Sequence, residues 1–218
     1  MIKNIVFDLG GVVLPLTPEE AWSRFESLGI KNARQQMGLY GQTGIFLKVE
    51  NGELTADQFI RELNMQAQAM ADNKEVVEYI GYDKAQWAWK GYLENVELFR
   101  LNNLKRLKNK YNVLLLSNIN PFVVEWASSD EFSGDGHPIS YYFNQLYYSY
   151  ELKDYKPSES IFLKLIEMAG IVPQETIFLD DGPKNIHMAE KMGIHGLLVK
   201  NNDDWMPLLN EQLKLYNS

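Results

Sequence analysis

The sequence contains no cysteine, which excludes disulfide bonds, thiolate nucleophiles and cysteine-ligated zinc. Histidine is scarce: the chain has only His137, His187 and His195, and their spacing matches no metal-binding pattern. Positive charge is also in deficit, because 21 lysines and arginines stand against 29 aspartates and glutamates, for a net charge of −8. A protein this acidic would be repelled by the phosphate backbone of a nucleic acid, so we expect no nucleic-acid partner.

Long apolar segments are missing as well. The N-terminal residues lack the apolar stretch of about 7–15 residues that a secretory signal peptide requires. No segment approaches the roughly 18 apolar residues of a membrane-spanning helix. We therefore expect a cytoplasmic protein with no membrane partner. The GxxxxGK[ST] and GxGxxG patterns are absent, which excludes a P-loop and leaves dinucleotide binding unsupported.

Apolar strand patterns alternate with helical patterns over most of the chain. Residues 2–7, 112–118, 176–181 and 196–199 are apolar without the period-two alternation of a half-exposed strand, and 141–149 is an aromatic strand-like run. Strands that alternate with helices predict an α/β fold, here a doubly wound parallel sheet with a Rossmann-like core. The missing alternation is typical of strands whose two faces are both covered.

Residues 15–90 interrupt this pattern with an all-helical block. Capping boxes at Thr17–Glu20 and Thr55–Gln58 predict two helix starts, and residues 74–90 also have a helical pattern. The sequence therefore predicts an α/β core formed by residues 1–14 and 91–218, with a helical domain at 15–90 inserted after the first strand.

Three predicted strands end in polar residues. The carboxyl ends of strands in such a sheet border one crevice, where ligands bind. We therefore expect these strand ends to meet at one site, together with a lysine that lies just before a helix start. The candidates are Asp8, Ser117, Asn118, Lys156, Asp180 and Asp181.

The chemistry that this set suits is phosphoryl transfer. Asp8 is a candidate nucleophile, and Asp8, Asp180 and Asp181 offer the oxygen ligands that Mg²⁺ prefers. Gly10 and Gly11 allow the backbone to approach a ligand closely. Each feature alone is ordinary, since an acid at a strand end is often a cap or turn residue. Their joint occurrence in this order carries the functional interpretation.

Four segments resemble, in order, the four motifs of the haloacid dehalogenase (HAD) superfamily. They are FDLGGVV at 7–13, LLSN at 115–118, KPSESIF at 156–162 and FLDDGPKNI at 178–186. The helical block at 15–90 resembles the cap that the family inserts after its first motif. Within the family, the DLGG and SNIN stretches are most similar to the sugar-phosphatase branch that contains alpha-D-glucose-1-phosphate phosphatase.

The resemblance implies a role for each candidate. Asp8 would form an aspartyl-phosphate, and Lys156 would neutralise charge on Asp8 and the phosphate. The substrate-binding residues would be Gly11, Ser117, Asn118 and Lys156. The ligands of Mg²⁺ would be Asp8, the Gly10 carbonyl and Asp181, with Asp180 in support. The implied partner is a small phosphorylated metabolite, and the sequence does not distinguish a monomer from a homodimer.

Gly10 departs from the family pattern, since most phosphatases of the family carry an acid there that protonates the leaving group. Glycine cannot move a proton, and such help is typically worth roughly 10²–10⁴-fold. One explanation is a substrate with a good leaving group, such as a C1 sugar phosphate or an acyl phosphate. The alternatives are a non-catalytic or very slow protein that binds a phosphorylated ligand, and a dehalogenase-like hydrolase. His187 is a further candidate for proton transfer.

A cap would exclude water from the nucleophile and select the leaving group. The candidates for facing the pocket are Trp22, Arg24 and Phe25 of the first cap helix, and residues of the glycine-containing loop 40–46.

Overall fold

The computed structural model describes residues 1–38, 41–71, 77–93 and 96–217. Its sheet has five strands in the spatial order β3-β2-β1-β4-β5, and every neighbouring pair is parallel. The strands are β1 (Asn4–Phe7), β2 (Asn112–Ser117), β3 (Gln145–Tyr148), β4 (Thr176–Asp180) and β5 (His195–Leu198). The doubly wound parallel sheet predicted from the sequence is confirmed.

Helices occupy most of the rest of the described chain. Those between β1 and β2 are α1 (Pro18–Ser27), α2 (Ala33–Gln36), α3 (Gly44–Glu50), α4 (Ala56–Met70), α5 (Tyr82–Lys90) and α6 (Leu98–Lys108). The later ones are α7 (Pro121–Ala127), α8 (Ser149–Leu152), α9 (Glu159–Ala169), α10 (Pro183–Lys191) and α11 (Met206–Asn217). None of the helices in the described residues is both long enough and apolar enough to cross a membrane.

The strands send alternate side chains to two apolar layers. Val6 and Phe178 pack in one layer with residues of α9 and α10. Phe7 and Leu115 pack in the other layer with residues of α6 and α11. Both faces of the sheet are therefore covered, which explains why the strands are apolar at nearly every position.

The direction of winding reverses beside β1. The chain proceeds from β1 through β2 to β3 on one side, and then returns to place β4 and β5 on the other side. In an open α/β sheet this reversal opens a crevice at the carboxyl ends of the strands, where ligands bind. The crevice lies between the end of β1 at Phe7 and the end of β4 at Asp180.

Of the two capping boxes predicted for the inserted helices, one is present and one is not. The Thr55–Gln58 capping box is present at the start of α4. The box predicted at Thr17 is wrong, because the Thr17 hydroxyl donates to the Gly91 carbonyl (3.4 Å) and Glu20 binds Arg24 instead. The helix predicted over 74–90 starts only at Tyr82; residues 77–80 are not helical, and 72–76 fall outside the described part.

The insertion leaves and rejoins the sheet at one point. The Thr17 amide donates to the Tyr92 carbonyl (2.9 Å), and Leu16 and Leu93 form an antiparallel bridge. An aromatic cluster of Phe25, Phe46, Phe59 and Trp89, with ring centroids 5.0–5.9 Å apart, packs the inserted helices together. Phe59 also meets Phe122 of α7 at 5.5 Å. The apolar core of the insertion is thus continuous with one layer of the sheet.

Candidate active site

The structure gathers the polar strand ends that the sequence singled out. Asp8 follows β1, Ser117 ends β2, and Asp180 ends β4 with Asp181 directly after it. Because β1 pairs with both β2 and β4, these residues lie at one edge of the sheet. Lys156 reaches them from the loop before α9 and is only 1% exposed.

Lys156 bridges the buried carboxylate of Asp180 and the partly exposed carboxylate of Asp8. Its Nζ lies 3.0 Å from Asp8 Oδ1 and 2.6 Å from Asp180 Oδ2. Asp8 Oδ1 also accepts a hydrogen bond from the Leu9 amide (2.7 Å). The ammonium group therefore fixes the position of the Asp8 carboxyl and offsets its charge where little water is available to do so.

Asp180 is held at its other oxygen too. Asp180 Oδ1 accepts hydrogen bonds from the Gly182 amide (2.7 Å) and from Asn185 Nδ2 (2.8 Å). Sequence reasoning missed Asn185, although it lies within the fourth motif-like segment. Both oxygens of Asp180 are thus engaged, one by Lys156 and the other at the start of α10.

Asn118 determines the path of the loop that carries Lys156. Its amide nitrogen donates to the Lys156 carbonyl (3.0 Å), and its amide oxygen accepts from the Lys156 backbone N–H (2.8 Å). Ser117 is buried and lines the same cavity as Asp8. The ends of β1, β2 and β4 and the Lys156 loop are thus tied into one constellation.

The three aspartates form a group that suits a hard divalent cation. Asp8, Asp180 and Asp181 each offer a carboxylate oxygen, and these oxygens lie within 4.8 Å of one another. Asp181 Oδ2 is buried and has no hydrogen-bond partner among the described residues. Oxygen-only donors with one unpaired carboxylate oxygen fit Mg²⁺. Three acids against one lysine also leave an excess of negative charge that a cation would neutralise.

The pKa values of these acids reflect the same imbalance. Burial is the main cause that raises the pKa of Asp8, repulsion from Asp180 and Asp181 adds to it, and Lys156 opposes it. Burial, followed by the charge of Asp180, raises the pKa of Asp181 to about 6. Burial alone would lower the pKa of Lys156, but the charges of Asp180 and Asp8 outweigh it and the pKa is raised. Lys156 therefore stays charged.

The two glycines after Asp8 differ in what they tolerate. Gly11 has a φ of +75°, and a Cβ there would lie 2.2 Å from Asp181 Oδ2, so only glycine fits. Gly11 is not among the residues that line the cavity, and its substrate-binding role stays a prediction. Gly10 lines the cavity, and a Cβ there would meet only the side chain of Leu16, at 3.1 Å.

A cavity of about 110 Å³ opens between the sheet edge and the inserted helices. Of the loop 40–46, Gly41 and Gln42 line it, whereas Tyr40 falls outside the described residues. The expectation for the first cap helix is wrong, because Trp22, Arg24 and Phe25 do not line it. His187 is exposed and does not line it either.

Comparison with known proteins gives the family. A family model described as haloacid dehalogenase-like hydrolase matches residues 2–193. The chain belongs to this family. It is 39% identical over 205 residues to a D-ribitol-5-phosphate phosphatase of Bacteroides thetaiotaomicron, an alignment that covers 94% of this chain and 95% of the relative.

Solved structures of HAD-family proteins have the same fold. A HAD-like hydrolase from Porphyromonas gingivalis is 34% identical, with a TM-score of 0.90 and 98% of each chain covered. An alanine variant of a HAD-family enzyme from B. thetaiotaomicron, in complex with magnesium and inorganic phosphate, is 31% identical. Its TM-score is 0.86, with 96% of this chain and 99% of that chain covered. The resemblance to the HAD superfamily is thus confirmed.

The side of this HAD cavity that faces the insertion holds residues that sequence reasoning missed. Glu50, at the end of α3, lines the cavity and is 5% exposed. Its carboxyl accepts hydrogen bonds from Asn120 Nδ2 (3.5 Å) and the Tyr155 hydroxyl (3.4 Å). Burial, against the opposing effect of these two bonds, raises the pKa of Glu50 to about 8. No sequence pattern distinguishes this glutamate from an exposed one at a helix end.

Proposed function

We propose that the chain is a Mg²⁺-dependent phosphatase that hydrolyses a small phosphorylated metabolite through an aspartyl-phosphate on Asp8. The observation that carries the proposal is the placement of Asp8 at the cavity, 3.0 Å from Lys156 Nζ and grouped with two further aspartates. Family membership and the phosphatase and magnesium–phosphate relatives support it.

In the proposed reaction, an Asp8 carboxylate oxygen attacks the phosphorus atom, the bond to the leaving oxygen breaks, and that oxygen takes a proton from water to leave as the alcohol. Water then attacks the phosphorus of the aspartyl-phosphate, which releases inorganic phosphate and restores Asp8. Lys156 holds Asp8 in position and offsets negative charge on the phosphoryl group. Ser117 and Asn118 lie at the same edge of the cavity and bind phosphoryl oxygens.

The Mg²⁺ ion would be held by Asp8, the Gly10 carbonyl and Asp181, with Asp180 in support. When bound, it would neutralise charge on the phosphate and lower the repulsion between the carboxylates. The pKa of Asp8 is raised in the metal-free protein, so Lys156 and a cation together would keep the nucleophile ionised.

Residues 15–90 act, in this proposal, as a cap domain on the core formed by 1–14 and 91–218. The connection at Thr17 and Tyr92 lies close to both proposed boundaries. Gln42, Glu50 and Trp89 come from this segment and line one side of the cavity. The cap thereby excludes water from Asp8 and contacts the leaving group.

The substrate is a sugar phosphate or sugar-alcohol phosphate in this proposal. Ribitol 5-phosphate, named for the relative in B. thetaiotaomicron, is an ester of a primary alcohol. The absent acid at Gly10 points instead to a better leaving group, such as a C1 sugar phosphate. The two expectations conflict, and the ranking of substrates decides between them.

The test is phosphate release from polyol phosphates, C1 and C6 sugar phosphates, nucleotides and acyl phosphates, with and without Mg²⁺. We expect Mg²⁺-dependent release that Asp8→Asn abolishes, with the variant shown to be folded by circular dichroism. Release that survives Asp8→Asn would refute the aspartyl-phosphate. Tight binding of a phosphate ester without release of phosphate would instead favour a non-catalytic binding protein, the alternative suggested by the absence of an acid at Gly10.

A further inference from the structure

The part of the cavity formed by the insertion contains an unpaired hydrogen-bond acceptor. Gln42 Oε1 is buried and has no partner among the described residues, although Gln42 lines the cavity. The other end of the same amide is engaged, since Gln42 Nε2 donates to the Tyr92 hydroxyl (3.4 Å). A buried polar atom without a partner is costly unless a ligand or water completes it.

Glu50 supplies the matching donor. No ion pair of the described residues includes Glu50, and burial without a cation favours the neutral carboxyl. Both described partners, Asn120 Nδ2 and the Tyr155 hydroxyl, donate to its oxygens. The proton of a neutral Glu50 therefore has no acceptor among the described contacts. Because Glu50 lines the cavity, a ligand oxygen there would accept it.

The orientation of these groups is fixed by the core. Asn120 Oδ1 accepts from the Val123 amide (3.1 Å) at the start of α7, so its amide nitrogen is the atom left for Glu50. The Ser149 hydroxyl donates to the Glu50 carbonyl (2.5 Å) and secures the end of α3. Trp89, which also lines the cavity, has a buried Nε1 donor without a partner in the described residues.

We propose that Gln42 and Glu50 form a subsite that binds a hydroxyl group of the leaving alcohol and selects neutral polyol phosphates. This inference rests on the proposed phosphatase function. A hydroxyl group is both donor and acceptor, so it donates to Gln42 Oε1 and accepts from the Glu50 carboxyl. The first contact pairs the Gln42 acceptor, and the second pairs the Glu50 proton, each of which lacks a partner among the described contacts.

The charges around the cavity favour the same substrate class. The acidic and basic side chains that line it in the described residues are Asp8, Glu50 and Asp181, and none of them is basic. Lys156 lies beneath Asp8 and is not in the lining. A leaving group with a carboxylate or a second phosphate would meet no cation on the insertion side, and its desolvation would go uncompensated.

The test compares a five-carbon polyol phosphate with pentyl phosphate, which is the same kind of ester without the hydroxyl groups. The ratio of their kcat/KM values, measured with Mg²⁺, reports recognition of hydroxyl groups. We expect Gln42→Met and Glu50→Leu each to lower this ratio about tenfold. Gln68→Met, on the exposed face of α4, is the matched control and leaves the ratio unchanged.

Glu50→Gln separates donation from mere packing, because it keeps the shape and an N–H donor but cannot ionise. At pH 7 we expect it to retain the ratio within about threefold. In the wild type the ratio falls as pH rises through about 8, where Glu50 loses its proton. In Glu50→Gln this fall disappears. The other titratable groups beside Glu50 are Tyr92, with a pKa raised to about 12, and Tyr155, with a pKa that burial raises well above its ordinary value. Neither titrates in this range, and Asp8, across the cavity, is present in both proteins.

A ratio that neither Gln42→Met nor Glu50→Leu changes would overturn the subsite. If that unchanged ratio came with an equal loss on both substrates, Glu50 would instead be a proton donor to every leaving group. The affinities of the same two compounds, measured by calorimetry in Asp8→Asn, give the ratio without turnover. If the wild type hydrolyses neither these two compounds nor any other phosphate ester of the panel, the proposed function fails, while the affinity ratio still decides the subsite.

Discussion

The two sides of the cavity use opposite electrostatic strategies. The sheet side places Asp8 and Asp180 against the buried ammonium group of Lys156, with Asp181 grouped beside the two acids. The insertion side carries one buried carboxyl, Glu50, and pairs it with an amide and a hydroxyl rather than with a cation. The sheet side thus concentrates charged groups, whereas the insertion side binds its one carboxyl through neutral partners.

The difference teaches how one small cavity can serve two ends of a phosphate ester. The phosphoryl group carries charge and changes geometry, so it needs fixed charges and a cation. The leaving alcohol is neutral, so it is recognised by groups that can give and take hydrogen bonds without ionising. Removing a charge should therefore be far more damaging on the sheet side than removing a polar group on the insertion side.

The largest expected effect comes from Lys156→Met, which keeps the length of the side chain and removes its charge. Asp180 would then be buried without a cation and Asp8 would lose its partner, so we expect the free energy of unfolding to fall by about 3–5 kcal/mol. Urea denaturation at pH 7 in metal-free buffer measures this loss.

The matched control is Lys164→Met, whose partner Asp154 lies at 2.9 Å but whose own side chain is 40% exposed. We expect that pair to contribute less than about 1 kcal/mol. Equal losses in both variants would contradict the buried bridge.

Asp181→Asn should reveal the cost of the unpaired acid. The pKa of Asp181 is raised to about 6 in the folded protein from 3.8, so the protein favours its protonated form. The contribution of Asp181 to the stability of the metal-free wild type is then full below about pH 4 and decreases, by about 2–3 kcal/mol, as pH rises through 6. Asp8 and Glu50, whose pKa values are also raised, add to the slope in both proteins. The variant should lack this decrease and lose the stabilisation by Mg²⁺. Denaturation curves from pH 4 to 7, with chelator or with Mg²⁺, check both, and an unchanged pH slope would count against the role of Asp181.

The sheet side could be predicted from the sequence because its geometry is a consequence of topology. Asp8, Ser117 and Asp180 each follow a run of apolar residues, and the carboxyl ends of parallel strands necessarily meet. Once the strands are recognised, their polar ends need no knowledge of side-chain packing to be placed together. Asn185 was missed for the opposite reason, since its contact with Asp180 depends on how α10 is oriented.

The insertion side could not be predicted in this way. Helical periodicity indicates which face of a helix is apolar but not which apolar face meets the cavity. Phe25 was expected there and instead packs against Phe46 and Trp89. Arg24 was expected there and instead donates to the Trp87 carbonyl (2.7 Å). Glu50 shows the reverse case. An acidic residue is expected at the surface, yet Glu50 is buried, because α3 ends against the core.

Gly10→Asp tests whether the missing acid can be returned to the sheet side. The backbone at Gly10 accepts a side chain, and the 3.1 Å approach to Leu16 requires only a small shift of that flexible residue. We expect turnover of pentyl phosphate to rise on the order of tenfold. Its alcohol is a poor leaving group, and a general acid contributes most where the alcohol leaves slowly. Gly10→Asn is the control of equal size that cannot donate a proton in this way. A gain of the same size in both variants would assign the effect to packing.

The smallest effect should come from Arg24→Ala, which removes a charge from the insertion without touching the cavity. The guanidinium group binds Glu20 (2.8 Å) and lies 4.9 Å from the Trp87 ring, and Arg24 is not among the residues that line the cavity. We expect kcat/KM for the polyol phosphate to stay within about twofold and stability to fall by less than about 1 kcal/mol, as for exposed ion pairs. Steady-state kinetics beside Gln42→Met makes the comparison direct. If Arg24→Ala raised KM more than Gln42→Met does, substrate recognition would reside on α1, and the neutral character assigned to the insertion side would be wrong.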